Sequence, residues 1–428
     1  MHSTLLSVII PTHNRSNLLI HNLSALSLQV QVNPQFEVIV VADACKDDTD
    51  KKVLHFAKQA PYPIRLFNHS AKNAAMTRNL GAKHAEGKIL LFLDDDLIPQ
   101  PGMINAHLEA QLSGRVVMGY SKPIYPIPAS FWQMNARLWW EDMYSQMRQP
   151  GHRFSYRDFF SGNVSMYADL FQRIGGFNGR ISGRLEDYEM GMRLLEAGVR
   201  FYFAPEALAY HYDETNLTLW LHRSYLEGKA DVQIVRRHPL LRAERFAKPD
   251  RSESWSGVRQ IIRLSAITGG RISNWLASRM LGLARLCEIL KIRKLWWLAI
   301  GVLREYHYWR GVASELGSRQ AAKVWILYSP EAFRISDTAP VIDLDEPIDA
   351  IEIQMTIHKA EQEGLKIRWQ GLDLFEFPFE PGKESLSEEH LWAFFRNKAA
   401  EEFLPALAID LVQSSESERT IWQSNLLK

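Results

Sequence analysis

The chain has 428 residues, 46% of them hydrophobic and 23% charged, with a formal net charge of +1. That length predicts two or three domains and room for a sizeable core, and the near-neutral balance makes no general case for nucleic acid as a partner. Cys45 and Cys287 are the two cysteines, too far apart in sequence for a metal-type spacing; they offer no disulfide framework and fit a reducing compartment.

Residues 5–10 (Leu-Leu-Ser-Val-Ile-Ile) predict a first strand. The run is shorter than a signal-peptide core and is stopped by Pro11. Pro11-Thr12-His13-Asn14-Arg15 is the loop after it, and Ser16 is placed to cap a helix running to about Ser27. Residues 36–41 predict a second strand, leading through the polar loop 42–49 into a helix carrying Val53, Leu54 and Phe56. A weaker strand over 64–67 and a helix over 72–81 come next. Residues 89–93 are then five apolar residues in a row, the pattern of a strand buried on both faces. Strand, loop and helix repeated in this way predict βαβ units and a mostly parallel sheet. Right-handed crossovers put the loops on one sheet edge, so Asp43, Arg78 and Asp94-Asp95-Asp96 can converge on a crevice there. The GxGxxG dinucleotide fingerprint is missing.

The acidic triplet closes the buried strand, and residues 98–102 (Ile-Pro-Gln-Pro-Gly) turn the chain after it. Three adjacent carboxylates hold their protons more tightly unless a positive charge sits among them. Alternation along an extended segment puts Asp94 and Asp96 on one face and turns Asp95 away. Hard cations such as Mg²⁺ or Mn²⁺ take such oxygens, often together with substrate phosphates. Read alone, the triplet is a solvated acidic turn; the buried strand in front of it favours a ligand site.

The middle of the chain changes character. A break at residues 125–128 precedes an aromatic-rich helix over 131–147, an apolar strand over 159–166 interrupted by Gly162-Asn163, and a turn at Gly175-Gly176-Phe177. Glu186-Asp187-Tyr188-Glu189 opens a helix that closes at Gly198. Carboxylates at a helix start ordinarily cap it and meet the positive end of its dipole. Two short strands, 201–204 and 207–210, deliver His211, a residue that is usually structural in such a place but that binds transition metals well.

The order Ser7-Val8-Ile9-Ile10-Pro11-Thr12-His13-Asn14-Arg15, the Asp43 loop, Arg78-Asn79, Asp94-Asp95-Asp96 and Glu186-Asp187 resembles glycosyltransferase family 2, over roughly residues 4 to 240. The resemblance implies the GT-A fold, an α/β sheet flanked by helices, and inverting transfer from a nucleoside-diphosphate sugar. It implies nucleotide-sugar contacts from Pro11, Thr12, Asn14, Arg15, Asp43, Arg78, Asp94 and Asp95, although Ala42-Asp43-Ala44-Cys45 departs from the family's Asp-Asp-Gly-Ser. Asp96 and Asp94 fall on the family's DxD metal motif, with Asp96 as the direct ligand of Mg²⁺ or Mn²⁺ and His211 beside it. Gly162 and Asn163 fall on its acceptor side. Asp187 falls on its catalytic base, supported by Glu186. A general base suits the chemistry, because the acceptor hydroxyl loses its proton as it attacks.

From about Asn216 the pattern is helical. Residues 255–325 hold 12 Lys/Arg against 3 Asp/Glu, and residues 331–428 hold 9 against 20. The expected division is therefore a catalytic domain 1–240, a basic amphipathic helical segment 241–330 and an acidic appendage 331–428. The basic helices either pack on the catalytic domain or lie at an anionic membrane, which would suit a lipid-linked glycan acceptor. No stretch reaches the length of a membrane span, about 18 apolar residues, so the chain is read as cytoplasmic, with any membrane contact peripheral at the inner face. Two other readings stay open on residues alone: a sugar nucleotidyltransferase, which would normally carry a Gly-rich phosphate loop where Pro11-Thr12-His13-Asn14-Arg15 stands, and a non-catalytic nucleotide-sugar-binding protein of the same fold.

Overall fold

A computed structural model gives the conformation of the chain and describes residues 5–32, 36–70, 72–111, 114–125, 129–181, 183–246, 256–327, 335–343, 350–360, 363–369 and 371–396. It divides into two compact units, one made of Met1–Ser145 with Ser155–Ala332 and the other of Gln146–Phe154 with Phe333–Lys428. In the first unit the order is β1 (Leu6–Thr12), α1 (Ser16–Leu26), β2 (Phe36–Asp43), α2 (Thr49–Ala57), β3 (Ile64–His69), α3 (Ala74–Lys83), β4 (Ile89–Leu93), β5 (Leu97–Pro99), α4 (Met103–Ala110), β6 (Arg115–Pro123) and α5 (Phe131–Met147). It continues with β7 (Asn163–Tyr167), α6 (Ala168–Ile174), α7 (Glu186–Glu196), β8 (Arg200–His211), α8 (Leu217–Arg237), α9 (Leu241–Phe246), α10 (Ser256–Thr268), α11 (Arg271–Ile289), α12 (Arg293–Leu316) and α13 (Arg319–Leu327).

The eight strands form one sheet in the order β3-β2-β1-β4-β7-β6-β8-β5. The β1–β2, β2–β3, β1–β4 and β6–β8 pairs are parallel; β7 runs against both its neighbours, and β5 runs against β8. Alternation sorts the apolar side chains between two faces. Leu6, Val8 and Ile10 share a core with Leu19 and Leu23 of α1, Val53 of α2 and Met103 of α4. On the other face Phe92 packs against Phe171 at 5.1 Å and Phe177 at 5.2 Å. There α3 lies so close that a Cβ on Gly81 would run into Ile9. Helical cover on both faces is why β4 is apolar throughout and all five of its residues are buried. Each such side chain contributes about 1.5–3 kcal/mol on leaving water.

Several local expectations change. Arg15, not Ser16, holds the N-cap position of α1 and makes no side-chain cap bond; the Ser16 N–H donates to Asp47 Oδ2 (3.1 Å) and its hydroxyl to Asp48 Oδ1 (2.7 Å) instead. The two short strands before His211 are one strand, β8, whose register against β6 slips at Pro205-Glu206-Ala207, where proline has no N–H to give a ladder. The strand expected over 159–166 begins only at Asn163. Ile98-Pro99 does not simply end a strand: Leu97–Pro99 is a short strand at the sheet edge, a place that tolerates proline. The helices α4 and α6 and the strand β6 have weak sequence signals and emerge only in the structure.

Beyond β8 the helices share cores with the sheet domain. Ala230, Val232 and Val235 of α8, Ile267 of α10 and Trp309 and Val312 of α12 close over Ile181, Leu185 and Met192. α8 and α12 touch backbone to backbone: a Cβ on Gly228 would meet the Tyr308 carbonyl, and one on Gly311 the Tyr225 carbonyl. Only glycine permits that approach.

The second unit contains β9 (Val341–Asp343), α14 (Ala350–Lys359), β10 (Leu365–Trp369), β11 (Leu372–Phe377) and α15 (Glu388–Phe394). Its sheet has the order β11-β10-β9 over a core of Ile342, Ile357, Leu365, Ile367 and Leu391. The segment Gln146–Phe154 joins it through Arg153, paired with Glu380 at 3.0 Å. The part of the helix expected near 388–400 that follows 396 lies outside the described residues.

Candidate functional site

Among the described residues, five non-glycine residues have positive φ, and four of them lie in loops that carry the residues singled out above: Asn14 (53°), Ala44 (51°), Lys72 (49°) and Leu185 (64°). Asparagine tolerates that region; a bulky leucine does not, and holding it there costs on the order of 1–3 kcal/mol. Packing must impose the conformation. Leu185 is itself buried in the core beneath α7, immediately before Glu186 and Asp187.

The acidic triplet leaves β4 as a turn closed by the Leu97 N–H on the Asp94 carbonyl (3.2 Å). The alternation expected along an extended chain therefore fails. Asp95 and Asp96 both meet Arg15, whose Nη1 lies 3.0 Å from Asp95 Oδ1 and 2.7 Å from Asp96 Oδ2. Asp94 turns the other way, to Arg78. Thr12 donates to the second Asp95 oxygen at 2.7 Å. Burial and the charge of Asp96 push Asp95 up to about 6, against the pull of Arg15 and Thr12. Burial also raises Asp96, helped by Asp94 and opposed by His211 and Arg15. The β5–β8 pairing sets Leu97 opposite His211, and the Tyr212 N–H donates to the Asp96 carbonyl at 2.9 Å. His211 Nε2 comes to 3.8 Å from Asp96 Oδ1 as a result.

Arg78 is the second organising cation. It is buried in α3, with Nη2 on Asp94 Oδ1 at 2.7 Å and Nη1 on Glu186 Oε1 at 3.0 Å. Burial works against its charge, but Asp94 and Glu186 outweigh that and hold its pKa above the ordinary arginine value. One guanidinium thus ties the turn after β4 to the start of α7. Asp187, next in line, accepts a hydrogen bond from the Tyr188 N–H at Oδ1, at 2.9 Å. It is not the N-cap; Leu185 is, without a side-chain bond. Burial and the neighbouring Glu186 push Asp187 up to about 7, against Arg184 and Arg78. A carboxyl poised there can take or release a proton near neutrality.

Other expected site residues have their polar atoms committed inside the fold. Asp43 is buried and accepts from the Lys72 N–H (2.9 Å), the Asn73 N–H (2.7 Å) and the Thr77 hydroxyl (3.0 Å), so it shapes the entrance to α3. Asn163, expected on the acceptor side, is buried, donating to the Ala207 carbonyl and bonded to His107 Nε2, each at 2.9 Å. Burial lowers His107 to about 4, so it stays neutral beneath the sheet. Asn14 accepts from the Lys46 N–H at 2.6 Å, stitching the β1 loop to the β2 loop, and Pro11 stands opposite Val41 at the end of β1. Gly162 has a clear reason to be glycine: a Cβ there would lie 2.7 Å from Asp94 Oδ2.

Two cations to which the sequence reading gives no site role also lie here. Arg184 lies beside Asp187 and pairs with Glu227 at 3.4 Å, its Nε buried without a hydrogen-bond partner among the described residues. Arg223 on α8 is half-buried and has no hydrogen bond or ion pair among the described residues. Burial lowers its pKa, reinforced by Arg184 and Arg15 and opposed by Asp213 and Asp96. Arg15, Arg184 and Arg223 lie within electrostatic reach of one another, and a charged phosphate is a fitting partner for a guanidinium so placed. The signal that could have exposed Arg223 was its place on a helix following His211, one turn from Glu227.

The donor set also fits a hard divalent cation. Asp96 and His211 are adjacent, His211 Nδ1 is buried without a hydrogen-bond partner among the described residues, and a cation would relieve the burial of Asp96. Among the described residues no three His, Cys, Asp or Glu side chains stand together in a way that could hold a metal ion by themselves.

Residues 7–175 match the family model for glycosyl transferase family 2, and residues 141–215 match one described as the N-terminal domain of galactosyltransferase. The chain is 28% identical over 275 residues to validoxylamine A glucosyltransferase of Streptomyces hygroscopicus subsp. jinggangensis, covering 57% of this chain and 64% of that one. It is 35% identical over 114 residues to the Escherichia coli UDP-Glc:alpha-D-GlcNAc-diphosphoundecaprenol beta-1,3-glucosyltransferase WfgD, covering 26% of this chain and 42% of that one. Among solved structures, the mannosyltransferase PcManGT from Pyrobaculum calidifontis, in complex with GDP-Man and Mn²⁺, aligns with a TM-score of 0.48 at 18% identity, over 76% of this chain and 88% of that one. The matched segment thus spans less than two thirds of the curated relatives' length. The likeness to glycosyl transferase family 2 is carried by residues 7–175 of the chain.

Proposed function

We propose that the chain transfers a sugar from a nucleoside-diphosphate sugar to an acceptor hydroxyl, with inversion at the anomeric carbon and dependence on Mg²⁺ or Mn²⁺. One observation supports the reading: Arg78 joins Asp94 of the acidic turn to Glu186, the neighbour of the candidate base, and so brings the turn after β4 and the start of α7 together. Asp96 and His211, with Asp94 near, would hold the cation, which supplies Lewis-acid stabilisation of the leaving diphosphate. Arg223 and Arg184 offer further positive charge to those phosphates. Thr12, Pro11 and the backbone of the Asn14 loop form the floor for the nucleoside, and Asp43 acts by positioning the loop before α3.

Asp187 takes the proton of the acceptor hydroxyl. The acceptor oxygen forms its bond to the anomeric carbon as the bond from that carbon to the phosphate oxygen breaks, and the electron pair leaves with the nucleoside diphosphate. A single displacement with one base inverts the centre. Glu186, held by Arg78, keeps Asp187 in place and raises its affinity for the proton. The catalytic region is residues 1–240, with the helices of 241–330 completing its core. The acceptor class offered is a glycan or a lipid-linked sugar, the latter supported by the name of the Escherichia coli relative.

The test is Asp187→Asn, which preserves shape. Release of nucleoside diphosphate from a panel of UDP- and GDP-sugars with Mn²⁺ should fall by roughly 10²–10⁴-fold, the usual worth of a general base, while metal-dependent thermal stabilisation by the same donor persists. Near-normal turnover by a folded variant would assign the base elsewhere, with Glu186 next.

A further inference from the structure

α11 is apolar on two sides. Ala277, Met280, Leu281, Ala284 and Cys287 pack into a core with Trp296 and Leu303 of α12 and Trp132 of α5. A second stripe, Ile272, Trp275, Leu276, Leu286, Ile289 and Leu290, recurs at helical spacing on the opposite side and is exposed, Ile272 at 76% and Ile289 at 74%. Gly282 lies within that stripe, and a Cβ there would meet only open space. One apolar face is enough to dock a helix on its own protein; the second is a surface awaiting something else.

Charge identifies what it suits. Arg271, Arg279 and Arg285 flank the stripe, and Lys291, Arg293 and Lys294 crowd the corner between α11 and α12, where every residue from 289 to 295 is exposed. The segment's acids are engaged elsewhere: Glu288 accepts from the Phe131 N–H, Glu305 pairs with Arg263, and Glu315 pairs with Lys229 and Arg236. Arg293 and Lys294 occupy the first turn of α12, which has no acidic residue and no side-chain cap, so their charge opposes the helix dipole. Lys291 is held at φ 58° beside them. That arrangement is unfavourable within the protein and favourable against a layer of anions. A second copy of the chain would bring the same cations face to face. No described helix is long and apolar enough to cross a membrane.

We propose that the exposed face of α11 and the corner into α12 dock on the surface of an anionic lipid bilayer, with Trp275, Ile272 and Ile289 entering the headgroup–acyl boundary and the Arg and Lys side chains reaching the phosphates. The inference does not depend on the transferase reading, since vesicle binding is measured without donor or acceptor.

The experiment is co-sedimentation of the full chain with phosphatidylcholine vesicles, with and without phosphatidylglycerol, at low and high salt. Binding should require phosphatidylglycerol and weaken with salt. The combined Lys291→Gln, Arg293→Gln, Lys294→Gln variant should bind ~100-fold more weakly, from roughly 1 kcal/mol per basic residue near the surface. Trp275→Ser with Ile289→Ser should bind at least ~10-fold more weakly, at an unchanged melting temperature because both side chains are exposed. Failure of the wild type to sediment with anionic vesicles, or equal binding by both variants, overturns the proposal. So does a concentration-dependent dimer that Ile289→Ser dissociates, which would assign the face to a second copy.

Discussion

At the scale of single residues, the site is built by two arginines with opposite assignments. Arg15 closes on Asp95 and Asp96 from the β1 loop, and Arg78 links Asp94 to Glu186 from α3. Arg223 has no such partner among the described residues, which makes it the clearest probe of where phosphates sit. Arg223→Gln should weaken binding of a nucleoside diphosphate about tenfold with or without metal, since it removes a charge-assisted contact of roughly 1.5–3 kcal/mol less its desolvation. Asp96→Asn should instead abolish the metal-dependent part of that binding. Calorimetry with UDP and GDP, with and without Mn²⁺, separates the two; identical losses in both variants would contradict the division of labour. The acidic triplet and Asp187 stood out in the sequence because each follows a recognisable local pattern, and the structure ties both to Arg78 through Asp94 and Glu186. The burial of Asp43 and Asn163 was not legible, because their partners Lys72, Asn73, His107 and Ala207 come from other elements.

At the scale of elements, β1, β2 and β4 were legible because burial on both faces leaves a nearly uninterrupted apolar run, while the half-buried edge strand β3 gave a weaker signal. β6 was not: Gly119, Lys122 and Pro123 break its pattern, and its pairing with β8 compensates only in three dimensions. The length and bulge of β8 were hidden for the same reason, although that strand delivers His211 to Asp96. The helical crossing of α8 and α12 rests on Gly228 and Gly311 meeting carbonyls on the facing helix. Gly311→Ala should destabilise the first unit by on the order of 3 kcal/mol, as overpacking against backbone cannot be relieved by a side-chain rotation. Thermal unfolding measures it; an unchanged melting temperature would mean the helices have room to separate. Because Leu185 packs beneath this bundle, the same variant should also loosen the start of α7 and lower turnover.

At the scale of the whole molecule, the proposed docking on an anionic bilayer would give the charge asymmetry read from the sequence a physical use in its basic half. Helices 256–327 spend one set of apolar residues on the core they share with the sheet domain and leave another exposed, flanked by Arg and Lys side chains. The second unit is a three-stranded sheet with its own core. On the proposed function, activity rests on the carboxylates that Arg78 ties together after β4 and at the start of α7, and there on a carboxyl whose proton affinity is raised. Asp187 is held at about 7 by burial and by Glu186, so it is protonated in acid and becomes a base as pH rises. The same shift costs stability: the folded chain retains a proton that the unfolded chain gives up near pH 4, so this group destabilises the protein progressively between about pH 4 and 7.

The most direct measurement is the pH dependence of transfer under saturating donor and Mn²⁺, for wild type and Asp187→Asn. Wild-type turnover should rise with pH through a single ionisation near 7 and level off above it. Asp187→Asn should be slower by roughly 10²–10⁴-fold and lack that limb. An unchanged ionisation near 7 in the variant would contradict Asp187 as the base.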